Sequence, residues 1–76
     1  MTVNELIEKL KTFNPNLPVI INGYERGYND LENVNQIEII LNVNHEWYYG
    51  KHEDVNSYSV EEKGIKDEPT LALHLN

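Results

Sequence analysis

The sequence predicts an α+β fold: one N-terminal helix packed on a three-stranded, mainly antiparallel sheet. Two observations carry this. Apolar residues recur at helical spacing near the start of the chain, and strict alternation of apolar and polar residues appears twice further on. With 76 residues the chain is read as a single domain spanning residues 1–76, too short for a second hydrophobic core.

The helix is announced by Thr2-Val3-Asn4-Glu5, a capping box in which the Thr2 hydroxyl and the Glu5 carboxylate each satisfy the other residue's backbone N–H. Val3, Leu6, Ile7, Leu10 and Phe13 follow at three- and four-residue spacing, with Glu8, Lys9 and Lys11 on the other side. Glu5 and Lys9 stand four apart as an ion pair. Asn14-Pro15-Asn16 stops the helix, because Pro15 disfavours helical geometry at Asn14. The predicted helix covers residues 3–13.

Three strands are expected. Leu17-Pro18-Val19-Ile20-Ile21-Asn22 is a short, β-branched apolar run that starts through Pro18 and stops at Gly23. Gln36 to Asn44 alternates, placing Ile37, Ile39, Leu41 and Val43 on one face and Glu38, Ile40, Asn42 and Asn44 on the other. Thr70 to Leu75 repeats the pattern, with Leu71, Leu73 and Leu75 inward and Ala72 and His74 outward. Laying the helix over the inward face leaves Ile40 on the open one, an argument for a second copy of the chain, so a homo-oligomer, a dimer first, is expected. The connection His45–Pro69 is far longer than the usual four to six residues. Its first half is aromatic and expected to be ordered, Val55–Val60 offers a fourth, edge strand, and Val60–Glu68 is charged and expected to be mobile.

Composition narrows the function. Cysteine is absent, which removes disulfides and thiolate zinc sites. Thirteen acidic against six basic residues give a formal net charge of −7. Such a chain has no counterion-release drive toward duplex nucleic acid and is repelled by anionic membrane. The residues after Met1 lack the basic start and apolar stretch of a signal peptide, and no apolar run approaches the roughly 20 residues needed to cross a bilayer, so cytoplasmic residence is expected.

Two loops hold the candidate chemistry. Asn44-His45-Glu46-Trp47-Tyr48-Tyr49-Gly50-Lys51-His52-Glu53 contains the only tryptophan, two of the five tyrosines and two of the three histidines. Rings in a loop give large contact area at low entropic cost and suit a flat ligand or a partner's side chain. The competing reading is that Trp47 and Tyr49 plug one end of a small core. Gly23-Tyr24-Glu25-Arg26-Gly27-Tyr28-Asn29-Asp30 has two glycines whose amides can approach an anion, and Arg26, the only arginine, is shaped to grip phosphate or carboxylate. It lacks the lysine of a phosphate loop and the dinucleotide fingerprint, and a plain tight turn competes as its explanation. The two loops leave successive strands and would emerge from opposite ends of an antiparallel pair. The binding candidates are Tyr24, Glu25, Arg26, Tyr28, Asp30, Asn44, Trp47, Tyr48, Tyr49 and His52. His45 and His52 match no metal-ligand spacing, and no nucleophile motif occurs, so the chain is not expected to be an enzyme and no catalytic residue, metal or cofactor is assigned.

The residues Thr2-Val3-x-Glu5-Leu6-Ile7, Leu17-Pro18-Val19, Gly23-Tyr24-Glu25-x-Gly27-Tyr28-x-Asp30 and Leu41-Asn42-Val43-Asn44 running into Trp47-Tyr48-Tyr49-Gly50-x-His52 resemble a family of small uncharacterised proteins of bacteria, phages and prophages. The resemblance covers about the first two-thirds of the chain. Arg26 and Lys51 depart from the family pattern, which has a small residue and a proline there. The resemblance implies a phage-type accessory protein and brings no established activity with it. The expected role is to sequester a small ligand, a nucleotide signal among the candidates, as a host-defence antagonist, with its base stacked on Trp47, Tyr48 or Tyr24 and its phosphate met by Arg26 or Lys51. An acidic inhibitor that blocks a host protein and a plain assembly module are the alternatives.

Overall fold

The computed structural model describes residues 1–76 and has the α+β architecture expected. The chain divides into two compact units, Met1–Val34 with Leu75–Asn76, and Asn35–His74.

In the first unit, α1 (Val3–Leu10) begins at the predicted capping box. Thr2 Oγ1 accepts from the Glu5 N–H at 3.2 Å, and the Thr2 N–H donates to Glu5 Oε1 at 3.1 Å. Glu5 is thus engaged at the cap. The single ion pair of the chain is Lys11–Glu8 rather than Glu5–Lys9, and both partners are too exposed for it to count for much. The helix is shorter than predicted: Lys11 caps it, and the last predicted turn loosens over Lys11–Phe13. None of its side chains is buried.

The Thr2 backbone N–H, then its side chain, then the N-terminal ammonium hold the Glu5 carboxyl below its ordinary value of 4.5. A depressed carboxylate contributes stability above its unfolded value and loses it as pH falls through the folded one. Helical circular dichroism should therefore hold steady above pH 4.5 and decline below it. Glu5→Gln should remove this cap-dependent part of the decline and leave that of the other carboxylates.

After the Asn14–Leu17 turn, β1 (Ile20–Asn22) pairs antiparallel with β2 (Tyr28–Asp30), with Ile20 opposite Asp30 and Asn22 opposite Tyr28. β1 starts three residues later than predicted, and β2 lies in what the sequence offers as a loop. Gly23–Gly27 closes this hairpin, with the Gly23 N–H donating to the Gly27 carbonyl at 2.9 Å. Gly27 sits in the left-handed region, at φ 69°. A Cβ on Gly23 would stand 2.5 Å from the Arg26 carbonyl oxygen, so position 23 admits glycine alone without backbone movement. Gly23→Ala is expected to cost the hairpin about 1–3 kcal/mol, seen as faster exchange of the residue 23 amide and loss of cross-strand contacts between Asn22 and Tyr28.

The second unit is built on β3 (Val34–Ile40). It is the centre of a three-stranded antiparallel sheet, with β4 (Glu53–Asp54) on one side and β5 (Thr70–Leu75) on the other. Ile39 faces Asp54 and Ile40 faces Glu53. The predicted last strand stands, but β3 ends four residues early. In place of the expected edge strand over Val55–Val60 there is a turn followed by α2 (Tyr58–Glu62). Ser57 caps it, its hydroxyl accepting from the Ser59 N–H, and Gly64 at φ 64° closes its end. Residues from Val60 onward, expected to be mobile, thus include a helix with a buried side chain.

The core is small and lies in this second unit. Ile40, Val43 and Val60 are its buried apolar residues, flanked by half-buried Val55 and Ile65. This corrects two expectations. Ile40, expected on the open face, is 2 % exposed, while Leu71, Leu73 and Leu75, expected inward, are 62, 43 and 39 % exposed. Asn42 accounts for Ile40: it takes a left-handed conformation at φ 56°. Alternation cannot pass through such a residue, and the turn folds Val43 back over Ile40.

No helix is long and apolar enough to cross a membrane.

Candidate functional site

The predicted binding residues fall into two groups, one in each unit, because β1 and β3 belong to different sheets. The expectation that the loops leave opposite ends of one strand pair therefore does not apply.

In the first unit, Tyr24, Glu25 and Arg26 occupy the hairpin tip, and Tyr28 and Asp30 lie on β2. All five are exposed, Tyr24 completely. Neither Glu25 nor Arg26 forms an ion pair, so the only guanidinium of the chain is held by no carboxylate.

In the second unit the aromatic loop is tied down by Asn44, which is 5 % exposed. Its Nδ2 donates to the Gly50 carbonyl at 2.8 Å and to Glu53 Oε1 at 2.7 Å. Its Oδ1 accepts from Lys63 Nζ at 3.2 Å, and its backbone N–H donates to the Lys51 carbonyl at 3.0 Å. Lys63 Nζ also donates to the Val43 carbonyl at 3.1 Å, joining the end of α2 to the loop. Asn44, a predicted binding residue, is thus a buried brace with each side-chain atom engaged. His52 pins the other side: its Nδ1 accepts from the Asn42 N–H at 3.0 Å, which assigns its proton to Nε2 in the neutral ring.

With the loop fixed at both ends, the aromatics are displayed. Trp47 is 93 % exposed, and Tyr48 and Tyr49 are exposed as well, so the reading in which Trp47 and Tyr49 plug the core is overturned. The three rings stack edge to face, as the quadrupoles of aromatic pairs favour. Trp47 meets Tyr48 at 5.6 Å and 85°. Tyr48 meets Tyr49 at 4.9 Å and 62°. Beside them opens a recess of ≈ 390 Å³ walled by Asn42, Asn44, His45, Glu46, Trp47, Tyr49 and Lys51. Small-molecule sites span about 300–1,000 Å³. Two recesses of similar volume occur in the first unit, one apolar between Leu10 and Ile20 and one walled by Asn29, Asp30 and Glu32. Neither combines an exposed indole with a cation.

His45, Glu46, Lys51, Asn42 and Lys63 complete this site, and of them the sequence offers only Lys51, as a contact for phosphate. The first three sit inside the aromatic run and were legible by adjacency. Lys63, 19 residues from Asn44 in sequence, had no local signal. The Glu46 carboxyl is held below its ordinary value of 4.5 by its own backbone N–H, with Lys63 and the His45 backbone N–H adding to the effect. The recess thus has a fixed anion on one wall and an ammonium on another. No group of three or more His, Cys, Asp or Glu side chains is arranged to hold a metal ion. No protein-family model, curated protein or solved structure matches the chain.

Proposed function

We propose that the protein acts by binding rather than by catalysis, taking a flat, ring-bearing ligand with an anionic group in the recess beside Trp47. The supporting observation is the indole, 93 % exposed on a loop braced by Asn44 and His52. An exposed ring on a mobile loop would lose its freedom on binding. A ring on a braced loop has already lost it, and preorganisation converts directly into affinity. Stacking supplies about 1–3 kcal/mol per base, whereas micromolar capture needs about 8 kcal/mol. The Asn42 side-chain amide, His45 and Lys51 must therefore contribute most of the affinity, against the net charge of −7. Nucleotides are the ligand class that joins a flat ring to an anion. The family resemblance extends this to a role: a phage-type accessory protein that sequesters a nucleotide signal and so antagonises host defence.

A second reading is favoured by the acidic surface and by Tyr24, Trp47, Tyr48 and Tyr49 all standing exposed. Here the chain docks on a basic site of a host protein and blocks it. A thermal-shift screen of the purified protein against nucleotides and related metabolites separates the two. Capture of a nucleotide should raise the melting temperature and quench Trp47 fluorescence, and Trp47→Ala, which removes the stacking share, should shrink the shift. A flat response to every nucleotide sinks the ligand reading, and co-purification of a stoichiometric host protein then favours the inhibitor.

A further inference from the structure

The two edges of the three-stranded sheet are treated differently. β4 closes one edge with two residues, Glu53 and Asp54, and is both short and charged. Natural sheets blunt their edges in this way against unwanted pairing. β5 forms the other edge with six residues, Thr70-Leu71-Ala72-Leu73-His74-Leu75. In a chain that is 25 % charged, this segment holds no Asp, Glu, Lys, Arg or Pro.

The direction of its free backbone groups follows from Asn76. The Asn76 N–H donates to the Asn33 carbonyl, and its own carbonyl accepts from the Asn33 N–H, so both groups point inward, to the segment that leads into β3. Along a strand these directions alternate. Leu71, Leu73 and Leu75 therefore turn their N–H and C=O groups to the open edge.

We propose that a second copy of this chain pairs antiparallel along β5, about a two-fold axis at Leu73, joining two three-stranded sheets into one. That register sets Leu73 against the partner's Leu73 and Leu71 against the partner's Leu75. All the outward-facing groups of the three leucines are then used, and the leucines of both copies lie together on one face. The contact is self-complementary, as a two-fold interface requires. It is also neutral: His74 meets the partner's Ala72, and no carboxylate stands opposite another, although each copy carries a net charge of −7. Leu71, Leu73 and Leu75 are 62, 43 and 39 % exposed, so each has apolar surface left to bury in the contact.

Light scattering on the purified full chain should give twice the 8.9 kDa chain mass, falling to the single mass on dilution. Hydrogen exchange should show the Leu71, Leu73 and Leu75 amides protected at high concentration and released in step with that dissociation. Leu73→Lys sets two ammonium groups opposite each other at the axis, and should give a monomer with unchanged circular dichroism; Trp47→Ala should remain dimeric. If Leu73→Lys fails to fold, exchange in the unaltered chain decides. A monomer at every concentration, a dimer whose three leucine amides exchange freely, or protection that appears only with an added partner protein would each overturn the proposal.

Discussion

Replacing Ile40 by alanine is expected to destabilise the second unit by about 2–5 kcal/mol, the usual cost of emptying a buried Ile site. A core in a domain of this size supplies only about 3–5 kcal/mol. Ile40 is the least exposed of its members, packed among Val43, Val60, Val55 and Ile65. Ile40→Ala should therefore leave the second unit largely unfolded at room temperature, read as loss of the cooperative urea transition. Val19→Ala is the control: the side chain is exposed, and the change should cost less than about 1 kcal/mol. The test also decides between two pictures of the strand. Were Ile40 on an open face, as continued alternation would place it, the two substitutions would be equally mild.

That alternation failed at one residue, and the reason is physical. Period two holds only while every backbone unit stays extended. Leu41-Asn42-Val43-Asn44 reads as two more strand steps, yet asparagine is among the few residues that enter the left-handed region at modest cost, and Asn42 does so. Ile40 and Val43, three positions apart, would lie on opposite faces of a strand; across the turn they pack together. The same local chemistry explains what was legible. The Thr2–Glu5 box fixed the start of α1 because both of its hydrogen bonds lie within four residues. The end of α1 was read three residues late, at Phe13 rather than Leu10. Signals for α2 were present in Ser57 and Gly64, its cap and its left-handed stop, but the helix is only five residues long and its charged sequence resembles a solvated loop. β2 was hidden because a three-residue strand is too short for a period to register.

For the candidate site the sequence placed the aromatics correctly on a loop but left their burial open between two readings. Burial of Trp47 depends on what the rest of the chain brings over it, and no spacing rule reports that. Asn44 shows the complementary case. Its position beside the rings marked it as a contact residue, whereas its side chain faces inward to Gly50, Glu53 and Lys63. Those partners come from three separate places in the sequence, so the inward orientation had no local signature.

Asn44→Ala should consequently have a larger effect than its position on the edge of the recess implies. It deletes three hydrogen bonds and leaves the half-buried Glu53 carboxylate without its amide partner. Bonds to charged groups contribute about 1.5–3 kcal/mol each and neutral ones about 0.5–1.5 kcal/mol. Lys63 is exposed and its share is discounted for solvent screening. A loss of about 2–4 kcal/mol follows from these contributions, measured by urea denaturation of the second unit. Asn44→Asp keeps the shape and the acceptor for Lys63 but should not restore the loop, since Gly50 and Glu53 both require a donor and a carboxylate would instead face the Glu53 carboxylate. The informative readout is Trp47. If Asn44 is the brace described above, Trp47 fluorescence anisotropy should fall in Asn44→Ala under conditions where the unit is still folded, as the loop from His45 to His52 is released. An unchanged anisotropy would mean that the loop is held by His52 and the Lys51 carbonyl alone, and would return Asn44 to the role of a contact residue.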